Sequence, residues 1–425
     1  MKRRTLQQLS KSITSGITPF RGNPEFWIDG SIPWLKTEQL GERDIYDTNE
    51  KITEKALSKT FIKLNPANTI SIAMYGEGKT RGNVSILREE MTTNQACCNV
   101  VLDQSLADFE YVYYFLKNQY LNLRSLSSGV RKNLNSGDIK GFTINLPDTV
   151  AQQKKIAAVL TALDAKIALN QRINLELEGL AKLLYDYWFV QYDFPLSAAQ
   201  AAALGKPRLA GQPYRTSGGK MVFHEQLKRE IPEGWEVRNL SELCHLNHRI
   251  WPNKDHPDQV TYLDLANAKN GEILSVQNFA WDESPSRARR ILTPGDTIIG
   301  TVRPGNRSFA LVPNSEEILT GSTGFAVLTP KSAIYREFNY LSLTSESNIN
   351  RLTTVASGAA YPAVNPEVAA AQSIALPDAE LIQQFHQTTA SFFDLIERHR
   401  AQNQELTTLR DWLLPMLMNG QVRVG

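Results

Sequence analysis

Cysteine is scarce, with three residues in 425, two of them adjacent at Cys97 and Cys98. Such a set cannot build a disulfide framework, and no Cys/His spacing of the zinc type accompanies it, so a stapled secreted scaffold and a zinc module are both excluded. A reducing, cytoplasmic setting is expected. Long apolar runs are missing too: nothing approaches the ~20 uninterrupted apolar residues that cross a bilayer. After the basic Lys2, Arg3 and Arg4 come the polar Gln7, Gln8, Ser10, Lys11 and Ser12, where a signal peptide needs an apolar core, so no membrane partner is expected. Charge of one sign is not in excess. With 46 Lys plus Arg against 44 Asp plus Glu, the net charge is +2, which excludes holding nucleic acid by bulk charge but leaves room for a local basic surface. What is present is the composition of a folded chain, 42% hydrophobic and 21% charged. At ~100 to 200 residues per domain, the length implies two or three units, two being the simplest.

Catalytic signatures are also wanting. Ala73 to Thr80 (AMYGEGKT) satisfies a permissive phosphate-loop pattern, and a P-loop ATPase centred on residues 73–80 is the rival reading. A phosphate loop must open a helix whose N-terminus faces the phosphates. Here Arg81-Gly82-Asn83-Val84-Ser85-Ile86-Leu87 reads instead as a turn and a second β-branched strand. Cys244, His245, His248, Asp255 and His256 are metal-ligating types, but their spacing around Trp251-Pro252-Asn253 converges on no single point and reads as a polar loop. No glycine fingerprint for a dinucleotide or S-adenosylmethionine appears, nor the Asn-Pro-Pro-Tyr or Asp-Pro-Pro-Tyr of amino-methyltransferases. No catalytic residue, metal site or cofactor is therefore assigned to this chain.

The chain is instead a tandem repeat of long period. Ile32 to Ile45 precedes Val260 to Ile273 by 228 residues, Trp34-Leu35 matching Tyr262-Leu263. Leu64-Asn65-Pro66-Ala67-Asn68-Thr69-Ile70 matches Leu292-Thr293-Pro294-Gly295-Asp296-Thr297-Ile298 at the same offset. Ser128-Gly129 matches Ser357-Gly358 at 229, and Leu146-Pro147-Asp148 matches Leu376-Pro377-Asp378 at 230. Each copy reads as a mixed region of short strands and loops followed by one long helix. The expected domains are 1–148, a mixed region; 149–192, a long helix; 193–230, a connector; 231–378, a second mixed region; and 379–425, a second long helix and tail. Both copies lack catalytic signatures, which argues against a hidden enzyme in either.

The helix beginning near Thr149, where Gln152 completes a capping box, carries a seam of Ile156, Leu160, Leu163, Ile167, Asn170, Asn174, Leu177, Ala181, Leu184 and Trp188. These alternate in steps of four and three, the 3.5-residue period of a coiled coil. The second seam is Ile382, Phe385, Thr389, Phe392, Ile396, His399, Asn403, Leu406, Leu413 and Leu417, with Pro415 expected to end or kink the helix. Antiparallel pairing sets Asn170 and Asn174 opposite His399 and Asn403, a polar centre that fixes register. At ~1.5 Å per residue, roughly 35 to 40 residues give a rod of about 50 to 60 Å. The fold class is thus α+β: two mixed α/β regions separated by two long antiparallel helices, a tandem repeat with approximate two-fold symmetry.

Basic and amide side chains recur at the glycine turns: Lys79, Arg81 and Asn83 in the first copy, Arg303, Asn306 and Arg307 in the second. Arg131, Lys132 and Asn133 follow one Ser-Gly turn and Tyr361 the other, while Arg287, Arg289 and Arg290 form a basic run. Lys36, in the first repeat block, joins them as a candidate. Arg and Lys contact phosphates and guanine edges and Asn pairs with adenine, so these loops have the chemistry to read duplex DNA. The plain alternative is that exposed loops are polar anyway, which leaves a coiled-coil adaptor touching only proteins as a third reading.

The whole chain resembles the specificity subunits of type I restriction-modification systems. The resemblance is carried by the Ile32 to Leu40 block, the Leu-Pro-Asp helix entries, Trp188-Phe189-Val190-Gln191-Tyr192-Asp193-Phe194-Pro195, Ser217-Gly218-Gly219-Lys220-Met221 and Ile231-Pro232-Glu233-Gly234-Trp235. The first copy lacks a matching Pro-Glu-Gly-Trp opening, and residues 196–212 look longer than the usual connector. The resemblance implies a non-catalytic subunit of a restriction endonuclease and adenine methyltransferase complex. Each mixed region is then a target recognition domain reading half of a bipartite site. The implied partners are double-stranded DNA, two modification subunits and restriction subunits. S-adenosylmethionine, ATP and Mg would sit on those partners.

Overall fold

A computed structural model describes residues 2–76, 80–126, 133–252, 254–315, 317–358 and 361–424. The chain forms two compact units, Met1–Leu169 with Gln402–Gly425, and Asn170–Ala401. Each unit therefore contains a mixed region plus a length of both long helices. A helix with one apolar stripe gains little stability until that stripe is covered, so each length of helix belongs with whatever covers it.

The first unit runs β1 (Lys2–Thr5), α1 (Leu6–Leu9), β2 (Ser10–Ser15), β3 (Ile32–Leu35), β4 (Asp44–Ile45), β5 (Glu50–Ile52), α2 (Glu54–Lys59), β6 (Thr69–Ala73), β7 (Val84–Leu87), β8 (Thr92–Thr93) and β9 (Cys97–Leu102). It continues through α3 (Phe109–Asn118), α4 (Tyr120–Ser125), α5 (Ser136–Gly141) and β10 (Thr143–Leu146) into α6 (Val150–Tyr185). One sheet has the order β2-β9-β6-β7-β4, a second β5-β3-β8, and β1 pairs with β10. Strand β6 is buried on both faces, and alternation sorts its side chains. Ile70 and Ile72 enter the core with Tyr111, Val112 and Leu116 of α3. Ser71 donates to Asn99 Oδ1 (2.9 Å), and Asn99 Nδ2 donates to the Thr93 hydroxyl (2.7 Å), so the buried polar groups on the other face satisfy one another. Asp108 caps α3, accepting from the Tyr111 N–H at 3.0 Å.

The second unit begins within α6 at Asn170 and continues through a π-helical turn, Asp186–Val190, and α7 (Ala198–Ala203). Then come β11 (Met221–His224), β12 (Arg229–Pro232), β13 (Glu236–Asn239), β14 (Cys244–Leu246), β15 (Gln259–Leu263), β16 (Ala268–Lys269), β17 (Glu272–Ile273) and β18 (Gln277–Ala280). After these lie β19 (Ala288–Leu292), β20 (Thr297–Gly300), β21 (Phe309–Leu311), β22 (Leu319–Ser322), β23 (Phe325–Pro330), α8 (Arg336–Thr344), α9 (Glu346–Val355), α10 (Pro366–Ala370), β24 (Ser373–Leu376) and α11 (Ala379–Met418). Its sheet β14-β23-β20-β21 repeats β2-β9-β6-β7, and β13 paired with β24 repeats β1 paired with β10. The sheet β18-β15-β22-β19 repeats β5-β3-β8 with one strand added. The repetition extends to register: Tyr262 pairs in parallel with Thr320 as Trp34 pairs with Thr92, both displaced by 228.

Within each unit the two helix lengths run antiparallel. In the first, Asp164 meets Arg410 and Ile167 meets Asn403. In the second, Asn174 meets His399 and Tyr185 meets Phe385. Every residue of both seams is buried or half-buried. Pro415 does not end α11, which runs to Met418. The proline removes one intrahelical donor, and burial of Leu414, Leu417 and Met418 in the first unit's core holds the last turn against that loss.

Residues 193–230, between the two mixed regions, pack onto the second unit. Phe194 stacks on Tyr214 (centroids 4.6 Å apart) and on Trp235 (5.1 Å), and Phe194, Leu196 and Tyr214 join the second unit's core. Burying side chains of that size is worth about 1.5 to 3 kcal/mol each, enough to tie the segment down.

Candidate nucleic-acid interface

In both units the glycine-turn candidates, Arg81 and Asn83 in the first and Arg303, Asn306 and Arg307 in the second, lie between the strands of the same antiparallel hairpin, β6–β7 and β20–β21. That hairpin overturns the phosphate-loop reading: strand β7, not a helix, follows Thr80, and its Val84–Leu87 pair back onto Ile72–Thr69.

In the first unit Lys79, Arg131 and Lys132 lie outside the described residues. Asn83 is engaged by the fold, its Nδ2 donating to the Leu40 carbonyl at 3.0 Å. Arg81 is half-buried, and its carbonyl accepts from Arg124 (3.2 Å), whose guanidinium also donates to the Tyr120 hydroxyl (2.7 Å). Asn133 is half-buried beside Leu134, whose N–H donates to the Met74 carbonyl at 3.1 Å. Lys36 bridges Glu38 (2.8 Å) and Glu50 (2.7 Å), and hydrogen bonds first to Glu38 and then to Glu50 hold its ammonium above the usual lysine pKa.

Other basic residues of this unit serve the interior. Arg43 pairs with Asp44 and Glu110, Arg88 with the same two at 2.5 and 2.7 Å, and Arg410 with Asp164 at 2.8 Å. This cluster joins β4, the end of β7, α3 and the two long-helix segments. Apart from the adjacent Arg43 and Asp44 its members are far apart in sequence, so the local pattern did not announce it.

In the second unit the β20–β21 turn carries Arg303, Asn306 and Arg307. Arg303 (φ +49°) and Arg307 (φ +58°) both occupy the left-handed region, bracketing a 3₁₀ turn, Pro304–Asn306. Arg307 pairs with Glu346, and the Asn306 carbonyl accepts from Lys269 at 2.5 Å. Arg303 lies with its guanidinium 4.7 Å from the centre of the Tyr361 ring. The basic run divides by environment: Arg287 is exposed, Arg289 stacks over Trp281 at 4.4 Å, and Arg290 reaches towards the Asn247 carbonyl at 3.5 Å. Burial pulls the Arg290 pKa down, opposed by Glu367. Sequence reasoning missed the partner of Arg289: Trp281 also stacks face to face on His256, centroids 4.0 Å apart.

The seam's polar residues are placed as follows. His399 Nδ1 donates to Asn174 Oδ1 at 2.8 Å, and Asn174 Nδ2 donates to the Ile396 carbonyl at 3.4 Å. Asn170 is buried, and in the first unit Asn403 Nδ2 donates to the Ile167 carbonyl at 3.4 Å. Burial raises the thiols of Cys97 and Cys98 to about 12 and that of Cys244 to about 11, which makes them packing residues and not nucleophiles. Among the described residues no three His, Cys, Asp or Glu side chains converge as a metal site, and no helix is long and apolar enough to cross a membrane.

The type I restriction modification DNA specificity domain matches the chain twice, over residues 1–179 and 232–408. The chain belongs to the type I restriction-modification specificity-subunit family. Among the family's members it is similar to the type I restriction enzyme MjaIX specificity subunit of Methanocaldococcus jannaschii, 24% identical over 426 residues covering 97% of this chain and 91% of that one. It is similar also to the type I restriction enzyme HindI specificity subunit of Haemophilus influenzae, 25% identical over 336 residues covering 69% and 72%. The crystal structure of the S subunit from M. genitalium has the same fold, with a TM-score of 0.59 at 17% identity over 98% of this chain and 95% of that one. The specificity domain's two matches coincide with the two copies of the sheet topology.

Proposed function

We propose that each unit of this specificity-family chain reads one half of a bipartite DNA site. The two long helices would set the distance between the half-sites. The observation that carries the reading is the doubled topology, in which one strand register and one hairpin with a basic turn occur twice at a fixed offset. A reader built twice suits a site read in two parts.

The chain contributes recognition and assembly, and catalysis belongs to its partners: two modification subunits that use S-adenosylmethionine, and restriction subunits that use ATP and Mg. Exposed apolar side chains on the helices, Leu175, Leu180 and Leu183 on α6 and Leu409 and Trp412 on α11, support docking of protein partners there. The setting is the cytoplasm, where the DNA and those subunits are found. Replacing residues 231–378 with the corresponding region of another family member, then mapping methylated sites, tests the reading. One half-site is expected to change while the other is retained; two unchanged half-sites would refute it.

A further inference from the structure

We propose that Arg303 reads a guanine in the half-site of the second unit, and that Tyr361 is the positioning residue that holds the guanidinium plane for it, a proposal that rests on the half-site reading above. The turn bearing Arg303 is kept in a conformation its sequence disfavours. Arg303 and Arg307 both hold left-handed backbone, a region that long L-residues seldom occupy. Neighbouring chain enforces it: the Arg303 N–H donates to the Pro362 carbonyl (2.7 Å), the Val364 N–H donates to Thr301 (2.9 Å), and Val302 bridges Ala363. Backbone strain over-determined by its surroundings is a mark of functional loops.

The same backbone contacts carry Tyr361 to Arg303. Its ring is 71% exposed, so core packing does not account for it, and its face lies 4.7 Å from the Arg303 guanidinium. A ring face confines a planar guanidinium to one orientation. Reading guanine O6 and N7 in the major groove requires a flat, two-pronged donor presented in plane. A phosphate contact needs only a positive charge, for which the exposed Arg287 suffices. Arg303 and Tyr361 are both exposed, whereas Arg289 is half-buried on the buried Trp281 and Arg290 is half-buried as well.

The test uses the full chain assembled with its modification subunits, methylating a DNA library randomised across both half-sites. Arg303→Ala is expected to lose about 5- to 150-fold of its discrimination for G·C at one position of one half-site, with every other position unchanged. Arg303→Gln, which keeps the side-chain length more nearly, should lose the same guanine preference, so a folding defect in the alanine variant does not leave the matter open. Tyr361→Phe keeps the ring face and should behave as the parent; Tyr361→Leu should relax that same position. A uniform loss of binding with all base preferences intact would make Arg303 a phosphate contact and overturn the proposal. So would equal effects of Tyr361→Phe and Tyr361→Leu. Neither result touches the half-site reading, which stands or falls on the exchange of residues 231–378.

Discussion

His399 Nδ1 donates to Asn174 Oδ1 at 2.8 Å inside the helix seam of the second unit. A polar pair among apolar neighbours penalises every register that separates its members. Asn174→Leu takes away the acceptor that His399 uses and should cost about 1 to 3 kcal/mol. Replacing both residues with Leu should recover part of that loss, because the donor and its acceptor then leave together. Urea unfolding of the two singles and the double separates these outcomes; a double variant as weak as the sum of the singles would contradict the coupling.

Glu337, fully buried at the start of α8, accepts from Arg336 Nε and pairs with His386 Nδ1, both at 2.6 Å. Glu337→Leu takes the buried acceptor from Arg336, which keeps Asp394 at 3.1 Å, and from His386, and should destabilise the chain by about 1 to 3 kcal/mol. Hydrogen exchange should show the loss in Asn170–Ala401, with Met1–Leu169 retaining its protection.

Burial raises the hydroxyl of Tyr111 to about 12 and those of its neighbours Tyr113 and Tyr114 further, with Tyr185 of the second unit also pushed to about 12. The sign follows from linkage: the folded state keeps these protons more tightly than the unfolded chain, whose tyrosines ionise near ~10. Their contribution is complete below about pH 10 and is lost as pH climbs through the folded values. Tyrosinate absorbance from these residues should therefore rise together with alkaline unfolding. A smooth titration of all 14 tyrosines in a folded chain would show that the rings are accessible.

Lengthening both helices by one heptad, at facing positions, preserves the seam and adds about 10 Å of rise, or about three base pairs of DNA. Methylation mapping of such a variant should give the same two half-sites with a longer gap. An unchanged gap would mean that the helices do not measure it.

Arg287 and Asn83 should separate contact from support. Arg287→Ala is expected to weaken DNA binding evenly across sequences and to lower the salt dependence by about one counterion. Asn83→Ala removes the bond to the Leu40 carbonyl and should cost about 0.5 to 1.5 kcal/mol of folding stability. The first effect is read by binding titrations at several salt concentrations, the second by thermal unfolding.

The elements legible beforehand were those with short-range causes. β-Branched runs marked β6 and β20, a Gly-containing turn marked each hairpin, and a four-three spacing marked both seams, every member of which is buried or half-buried. In residues 193–230 the Ala- and Gly-rich stretches read as a connector, while the burial of Phe194 and Tyr214 depends on Trp235 and the rest of the second unit's core, which no local pattern shows. Pro415 lacks an intrahelical donor wherever it sits in α11, and the helix continues past it because Leu414, Leu417 and Met418 are held by a core built from distant strands and α3.

By itself the amino-acid sequence determined the duplication, the two long helices and the kinds of side chain on each turn, because each depends on spacing along the chain. Tertiary structure alone decided which cations face outward. Arg43, Arg88 and Arg410 go to carboxylates brought from distant elements, and Arg289 goes to a tryptophan. Arg303 meets Tyr361 only because the backbone at Val302 is bridged to Ala363. Exposure and pairing of a charge are set by what folds against it, and that partner sits wherever the topology puts it, at no fixed distance in sequence.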